Sequence, residues 1–398
     1  MADEVVVLGG ARTPFGEFCG SLRSLSATEL GVVVAAEAIK RCGIKREWID
    51  QLVFGNVMQT SGDAIYFARH IGLKCGLPQS VPALTVNRLC GSGLEALACG
   101  SRLIKTGEAE FVLVGGAESM SQAPHVIRGA RWGLELGRSQ MEDSLWVALV
   151  DSYNNLGMAN TAENLAERYK ISREVCDEFA YTSQMRAVAA QKKCYLSEEI
   201  VPVDVKGRRG DAVQVDKDEH IRPDTTPEGL AKLRAVFKKD GVVTAGNASG
   251  INDGGAALIL TSKAKAKELN LSYLGKVVAW SAVGVDPDIM GIGPADAIRT
   301  LLKKARVNLD EIDLFEINEA FAAQYLAVEK ELELPRDRTN VNGGAVALGH
   351  PLAASGARLS LTLLMQLKRQ KARFGIASLC IGGGQGIACL FERENNGN

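Results

Sequence analysis

The sequence predicts an α/β fold made of two similar halves that pack face to face, with an insertion in the first half. Three observations carry this. The chain repeats itself at a constant offset of 263 residues, brief apolar strands alternate with segments of helical period, and the pattern changes between 121 and 248. The 398 residues are 46% hydrophobic and 23% charged, ordinary for a globular protein and enough for more than one domain. The expected units are 1–120 together with 249–270, an inserted loop domain at 121–248, and 271–398.

The segment 38–57 and the segment 301–320 share one design: a basic helix end, a short turn, Ile-Asp, then an apolar strand. The offset carries Asp50 onto Asp313. It also carries Leu89-Cys90-Gly91-Ser92-Gly93 onto Leu352-Ala353-Ala354-Ser355-Gly356, and Phe111 onto Phe374. Leu84-Thr85-Val86 reads as the end of a strand. Leu94, Leu97, Ala98, Leu103 and Ile104 then recur at helical spacing, so Cys90 falls at a strand-to-helix turn. Val112 to Val114 reads as a strand ending in Gly115-Gly116, and Ile376 to Cys380 as its counterpart ending in Gly382-Gly383-Gly384. In the insertion, Glu163 to Tyr169 and Arg173 to Cys194 read as amphipathic helices, the second capped by Ser172. The polar run Lys206-Gly207-Arg208-Arg209-Gly210 reads as a loop. Ala256 to Leu260 reads as the strand that returns to the first half.

Glycines flank the candidate chemistry. Cys90 opens a Cys-Gly-Ser-Gly turn, His350 stands in Gly349-His350-Pro351, and Cys380 precedes three glycines, in a chain with only four histidines. Two thiols and one imidazole suggest a nucleophile, a base and a second proton carrier. A thiol at a helix start is expected to have a lowered pKa, because orphan N–H groups and the helix dipole favour the thiolate. The turn resembles a nucleophile elbow, although the residues do not match G-x-S-x-G. Cys90 would follow a strand in one half, and His350 and Cys380 strands in the other, with the site between them.

Composition excludes several classes. A net charge of −1 gives no electrostatic case for nucleic acid or an anionic membrane surface. No apolar run reaches the ~20 residues of a membrane span, and no ligand cluster has the spacing of a zinc site. Nine cysteines, no C-x-x-C pair and no secretory signal point to reduced thiols in a cytoplasm-like compartment, with the mitochondrial matrix also compatible. The polar C-terminal residues 392–398 carry no retention or peroxisomal signal.

Taken together, Asn87-Arg88-Leu89-Cys90-Gly91-Ser92-Gly93, Gly246-Asn247-Ala248-Ser249-Gly250, Asn318-Glu319-Ala320-Phe321-Ala322, Asn342-Gly343-Gly344-Ala345, Gly349-His350-Pro351 and Cys380-Ile381-Gly382-Gly383-Gly384 resemble the thiolases over nearly the whole chain. The resemblance implies a duplicated βαβαβαββ unit in a five-layer αβαβα arrangement, with a loop domain inserted in the first half. It implies that Cys90, activated by His350, attacks the thioester carbonyl of a 3-oxoacyl-CoA, and that Cys380 protonates the departing acetyl-CoA carbanion. His350 and a water on Asn318 would form one oxyanion site, and the N–H groups of Cys90 and Gly382 the other. Coenzyme A and acyl-CoA enter as substrates, with no tightly bound cofactor and no metal. Ser249 would bond the pantetheine arm, Ala245, Met158, Met290, Ala320 and Phe321 would line its tunnel, and Arg222 and Phe237 would flank the adenine. A homodimer or homotetramer is implied, with contacts at 120–141.

Two positions depart from the family pattern. Ala353 stands where glycine is usual, and its methyl would disturb the His350 turn unless φ is negative. Gly157 replaces the residue before Met158 that is His in the acetoacetyl-specific branch and often Pro in the broad-chain branch. Loss of the imidazole, and the stretch from Met141 to Trp146, favour the broad 3-oxoacyl branch of fatty-acid degradation over acetoacetyl-CoA synthesis. Decarboxylating condensing enzymes share the fold but use His-His or His-Asn where this chain has Cys380. A non-catalytic acyl-CoA or lipid carrier on the same fold would not need Cys90, His350, Cys380 and Asn318 intact.

Overall fold

The computed structural model describes residues 4–137, 140–207 and 211–394. Arg208-Arg209-Gly210 of the basic run and the polar end 395–398 lie outside the described residues. In the first half come β1 (Val5–Arg12), α1 (Ala27–Cys42), β2 (Gln51–Gly55), α2 (Phe67–Lys74), β3 (Ala83–Val86), α3 (Ser92–Lys105) and β4 (Phe111–Ser119). Then come α4 (Ser144–Ala148), α5 (Met158–Tyr169), α6 (Arg173–Lys192) and β5 (Asn252–Ser262). The rest runs β6 (Gly275–Gly284), α7 (Gly293–Ala305), β7 (Leu314–Ile317), α8 (Ala322–Leu332), α9 (Ala345–Leu348), α10 (Leu352–Gln370), β8 (Phe374–Ile381) and β9 (Gln385–Glu392).

The strands form one sheet in the order β7-β8-β9-β6-β1-β5-β4-β2-β3, with the two-residue strand Gly16–Glu17 beside β5. Its two wings are built alike. β2 runs parallel to β4, which is antiparallel to β5, which is antiparallel to β1. Likewise β7 is parallel to β8, which is antiparallel to β9, which is antiparallel to β6. The wings join where β1 meets β6, Val5 opposite Val277. The repeat extends to single atoms. Asp50 Oδ2 accepts from the backbone N–H groups of Glu110 (2.8 Å) and Phe111 (3.0 Å), and Asp313 Oδ2 accepts from those of Arg373 and Phe374 (both 2.8 Å).

Alternation along the strands sorts the core into three layers. Leu113 and Ile259 face α1 and α2 through Leu30, Val34 and Ile71. Val114 and Leu258 face inward, as do Ala377 and Leu379, and the space between is filled by Leu94 and Leu97 of α3 and Leu359 and Leu363 of α10. Phe315, Ile376 and Leu390 face Ile298 of α7 and Tyr325 of α8. Each wing of the sheet is thus a layer of its own, giving helix, wing, helix, wing, helix, the five layers expected.

Glycine permits the closest approaches at the centre. A Cβ on Gly93 would lie 2.5 Å from Ala353 O, and one on Gly356 would lie 2.3 Å from Leu94 N, so α3 and α10 touch backbone to backbone. A Cβ on Gly116 would lie 2.1 Å from Ala353 O. β4 does not stop at Gly115-Gly116 but continues through them to Ser119, paired with β5 as far as Asp253. The start of α10 needs that bare stretch of strand.

Other boundaries also differ from expectation. The helix expected at 163–169 begins at Met158. Asn318 to Phe321 precede α8, which begins at Ala322. His350 follows the short α9 rather than a strand, and Cys380 lies within β8 rather than after it. Ser172 does cap α6. Although the insertion leaves the chain from the first half, α5 and α6 pack on the second, where Phe179 stacks on Tyr325 with ring centroids 4.4 Å apart.

Candidate active site

Cys90 sits between β3 and α3, one residue before the Gly91 N-cap. The preceding residue, Leu89, is held at φ 46°, a left-handed conformation unusual for leucine that marks a sharp elbow. Asn87 fixes that elbow by accepting from Leu89 N at 2.9 Å. Ser92 closes it, accepting from Arg88 N (2.9 Å) and donating to Leu89 O (2.6 Å). Cys90 is partly buried against Met58, Met120, Leu145 and Leu352.

His350 lies in the turn between α9 and α10 and is 5% exposed. Its backbone N–H donates to Asn252 Oδ1 (3.1 Å), and its Nδ1 stands 2.6 Å from Ser355 Oγ. Ser355 donates its one proton to Pro351 O (3.0 Å). It is therefore left as acceptor for His350, which assigns the proton to Nδ1 and a lone pair to Nε2. That lone pair faces Asn318 Nδ2 at 3.3 Å. Ala353 is in the second position of α10 with helical backbone, so the methyl at this departure from the family pattern is accommodated.

Cys380 comes from the second wing, 1% exposed, clustered with Met290, Ala320, Met158 and Phe321. The Gly382-Gly383-Gly384 loop turns β8 into β9, with φ of 78° and 80° at the last two. Gly382 N–H faces the Cys90 sulfur, as does the N–H of Cys90 itself. A Cβ on Gly382 would meet Met158 Sδ at 3.1 Å. Asn318 follows β7, fully buried, with no hydrogen-bond partner for its Oδ1. Leu352, two residues past His350, packs against Cys90, and the Cys90 charge acts on Cys380. Cys90, Gly382 and Cys380 are thus brought together, and the turn that carries His350 also carries Leu352 into the cluster against which Cys90 packs.

The electrostatics reverse one expectation. Burial pushes the Cys90 thiol up to about 11, with Glu118 adding to the rise, and the N–H groups of Gly382 and Cys90 only partly offset it. Desolvation outweighs the helix start. Burial, then the charge of Arg358, pushes His350 down to about 3. Burial, then Cys90, pushes Cys380 up. Cys90 therefore rests as a neutral thiol and His350 as a neutral imidazole. Because only the thiolate is alkylated, Cys90 inactivation by iodoacetamide should accelerate roughly tenfold per pH unit from weakly acidic to alkaline pH. Pseudo-first-order rates across a pH series measure this, and a plateau near neutrality would mean an ion pair instead.

The coenzyme residues divide into two groups. Met158, Met290, Ala320 and Phe321 lie around Cys380. Ser249 N–H donates to Ala320 O at 3.0 Å, which lays 244–250 along 320–322. Ala245 and Arg222 line a cavity of about 480 Å³ together with His220, Thr225, Leu233 and Gly246. Arg222 is exposed and paired with Glu17. Phe237 is 38% exposed and is not among the lining residues of that cavity. Among the described residues no group of three His, Cys, Asp or Glu is placed to hold a metal ion, and no helix is long and apolar enough to cross a membrane.

Ser355 and Asn252, which orient His350, were not singled out for that purpose in the sequence. The repeat contains the signal for Ser355, since its counterpart Ser92 closes the Cys90 elbow. Asn252 has no local signal, because its partner lies 98 residues away.

Comparison with known proteins follows the same lines. The thiolase N-terminal domain model matches residues 5–264 and the thiolase C-terminal domain model residues 271–393. The human mitochondrial 3-ketoacyl-CoA thiolase is 50% identical over 390 residues, 98% of each chain. An acetyl-CoA acetyltransferase of Pseudomonas aeruginosa is 48% identical over 396 residues, 98% of this chain and 100% of its own. The crystal structure of the human mitochondrial enzyme in complex with CoA superposes with a TM-score of 0.96 at 49% identity, covering 99% of this chain and 98% of that one. That of the Bacillus anthracis acetyl-CoA acetyltransferase gives 0.97 at 46% identity, covering 99% of each.

Proposed function

The chain belongs to the thiolase family, and we propose that it is an acetyl-CoA C-acyltransferase that cleaves 3-oxoacyl-CoA with coenzyme A through an acyl-Cys90 intermediate. The observation that carries the reading is the meeting of Cys90 and Cys380, from opposite wings, with Gly382 N–H on the Cys90 sulfur. Coenzyme A is the second substrate. The CoA complex of the human relative supports this.

The chemistry needs neutral groups in motion. His350 Nε2 takes the Cys90 proton as the sulfur attacks the 3-oxo carbon, not the thioester carbonyl expected from the sequence, because only attack at C3 lets C2–C3 cleavage release acetyl-CoA, and the N–H groups of Cys90 and Gly382 hold the developing oxyanion. The C2–C3 bond then breaks. The thioester enolate that leaves is held by the protonated His350 and by the Asn318 side, and Cys380 donates its proton to C2 to give acetyl-CoA. Coenzyme A passes its thiol proton to the Cys380 thiolate and attacks acyl-Cys90. The departing Cys90 sulfur recovers its proton from His350. A free Cys90 thiolate is never needed, which suits a thiol raised to about 11.

The broad-chain branch is the preferred reading. Gly157 is the N-cap of α5, with space for a Cβ limited by Asn160 Oδ1 at 2.9 Å, and it brings no imidazole to the substrate side. The wall of the Cys90 pocket is made of flexible or aliphatic side chains, Met58, Met120, Leu145 and Leu352. A series of 3-oxoacyl-CoAs of graded length should show kcat/KM rising beyond acetoacetyl-CoA. Leu145→Ala should move the optimum to longer chains, each accommodated methylene being worth about 0.8 kcal/mol. Activity confined to acetoacetyl-CoA would favour the biosynthetic branch, and absence of any thiolysis would favour a carrier.

The family units would be 1–120 with 249–270, 121–248, and 271–398. A homodimer or homotetramer is supported by the exposed apolar residues Ile127, Trp132, Leu134 and Met141. Nine free cysteines suit a reducing compartment, cytoplasm or mitochondrial matrix.

A further inference from the structure

Glu118, on β4, belongs to none of the motifs above, yet it is fully buried beside the site. Each of its oxygens receives two donors. Oε1 accepts from Asn56 Nδ2 (3.1 Å) and Met58 N (2.9 Å), and Oε2 accepts from Val57 N (3.1 Å) and Ala353 N (3.2 Å). The first three donors belong to the loop after β2 in the first half, and the fourth to the α10 turn of the second, three residues past His350. We propose that Glu118 is a positioning residue that sets the register between the Cys90 elbow and the His350 turn across the seam between the halves.

The bonds form a continuous path. Asn87 holds the elbow through Leu89 N and donates to Val57 O at 3.2 Å. Val57 N–H donates to Glu118, which also holds Ala353 N–H. Val57, Met58 and Leu352, the residues so pinned or next to those pinned, are walls of the Cys90 pocket. A carboxylate suits the place because four donors converge and nothing there accepts a proton. A carboxamide would turn its own N–H groups on two of them.

Burial pushes Glu118 itself up to about 7, with the N–H groups of Met58, Val57 and Ala353 offsetting part of the rise, so at about pH 8 it is mainly a carboxylate whose charge adds to the rise of the Cys90 thiol. Asp253 is the other acid that acts on Glu118. Arg88, on the elbow, is paired with Glu95 at 2.9 Å, and Cys380 approaches Cys90 from β8. Glu118 acts through Cys90 and His350, so the inference rests on the acyl-transfer reading.

The test compares wild type with Glu118→Gln. A displacement of the reacting groups by about 1 Å costs roughly 10²-fold, so kcat for thiolysis should fall by about that factor. KM for coenzyme A should stay within about threefold. Iodoacetamide alkylation of Cys90 in the free enzyme should become faster at about pH 8, because a negative neighbour is gone, and a merely structural role would not produce that. A Glu118→Gln protein that is folded by circular dichroism and keeps kcat within about threefold, or alkylates no faster, overturns the proposal. If that variant does not fold, Asn56→Ala decides, since it removes one donor and leaves the charge. A fall in kcat at unchanged KM upholds the role, and unchanged kcat overturns it. A wild type without thiolysis sinks the acyl-transfer reading, and the alkylation comparison then judges Glu118 alone.

Discussion

Cys380→Ala should still load an acyl group from acyl-CoA onto Cys90, while carbon–carbon cleavage and formation fall by roughly 10²–10⁴-fold, the usual contribution of a positioned proton carrier. In barrier terms that is about 3–5 kcal/mol. The division arises because loading needs only Cys90, its base and the Cys90–Gly382 N–H pair, whereas the enolate needs a proton at C2. The side chains clustered with Cys380, namely Met290, Ala320, Met158 and Phe321, do not titrate, Cys90 is acylated at this stage, and His350 is engaged on the enolate oxygen. Removing the sulfur from a site 1% exposed leaves a small apolar void rather than an unpaired polar group, so folding should survive. Intact-mass measurement of the acyl-enzyme beside a thiolysis assay separates the steps. Equal loss of both would refute the division of roles.

His350→Ala should suppress both steps together, by roughly 10³-fold or more. One imidazole serves first as base for Cys90 and then, protonated, as donor to the enolate. Its two functions share a group, so their losses do not multiply. The variant also leaves Ser355 Oγ and Asn318 Nδ2 buried without their partner, at a stability cost of about 1–3 kcal/mol. Acyl loading and thiolysis, measured on the same preparation, should fall in parallel, unlike in Cys380→Ala. Normal loading by His350→Ala would show that another group takes the Cys90 proton. The neutral state of the pair explains why the base matters: with His350 pushed down to about 3 and Cys90 up to about 11, transfer becomes favourable only as substrate oxygen acquires charge within reach of the two N–H donors.

The halves, the offset and the elbow were legible because each has a local signature. Asp50 and Asp313 cap the same strand pair in each wing, and Cys90 does stand between a strand and a helix. The His350 turn was misread for a physical reason. Its place corresponds, by the offset, to the region just after β3, but there the second wing has no strand. Glu319 binds Val346 N at 3.1 Å and leaves no room for a Cβ on Gly344, so the chain coils into α9. Ala320 and Phe321 stay extended beside Ala248 and Ser249, so α8 starts only at Ala322. The charge state of Cys90 was beyond local reading altogether. A helix start is visible in the sequence, but the burial that overrides it comes from residues 58, 120, 145 and 352 in four separate segments.

The most direct measurement is to incubate the protein with acyl-CoA in the absence of a second substrate, digest it, and locate the acyl group by mass spectrometry. One acyl group per chain is expected, on the peptide that contains Cys90, with Cys380 unmodified. An acyl group on Cys380 or on any other cysteine, or a chain that turns over substrate with Cys90 never acylated, would contradict the assignment of Cys90 as nucleophile.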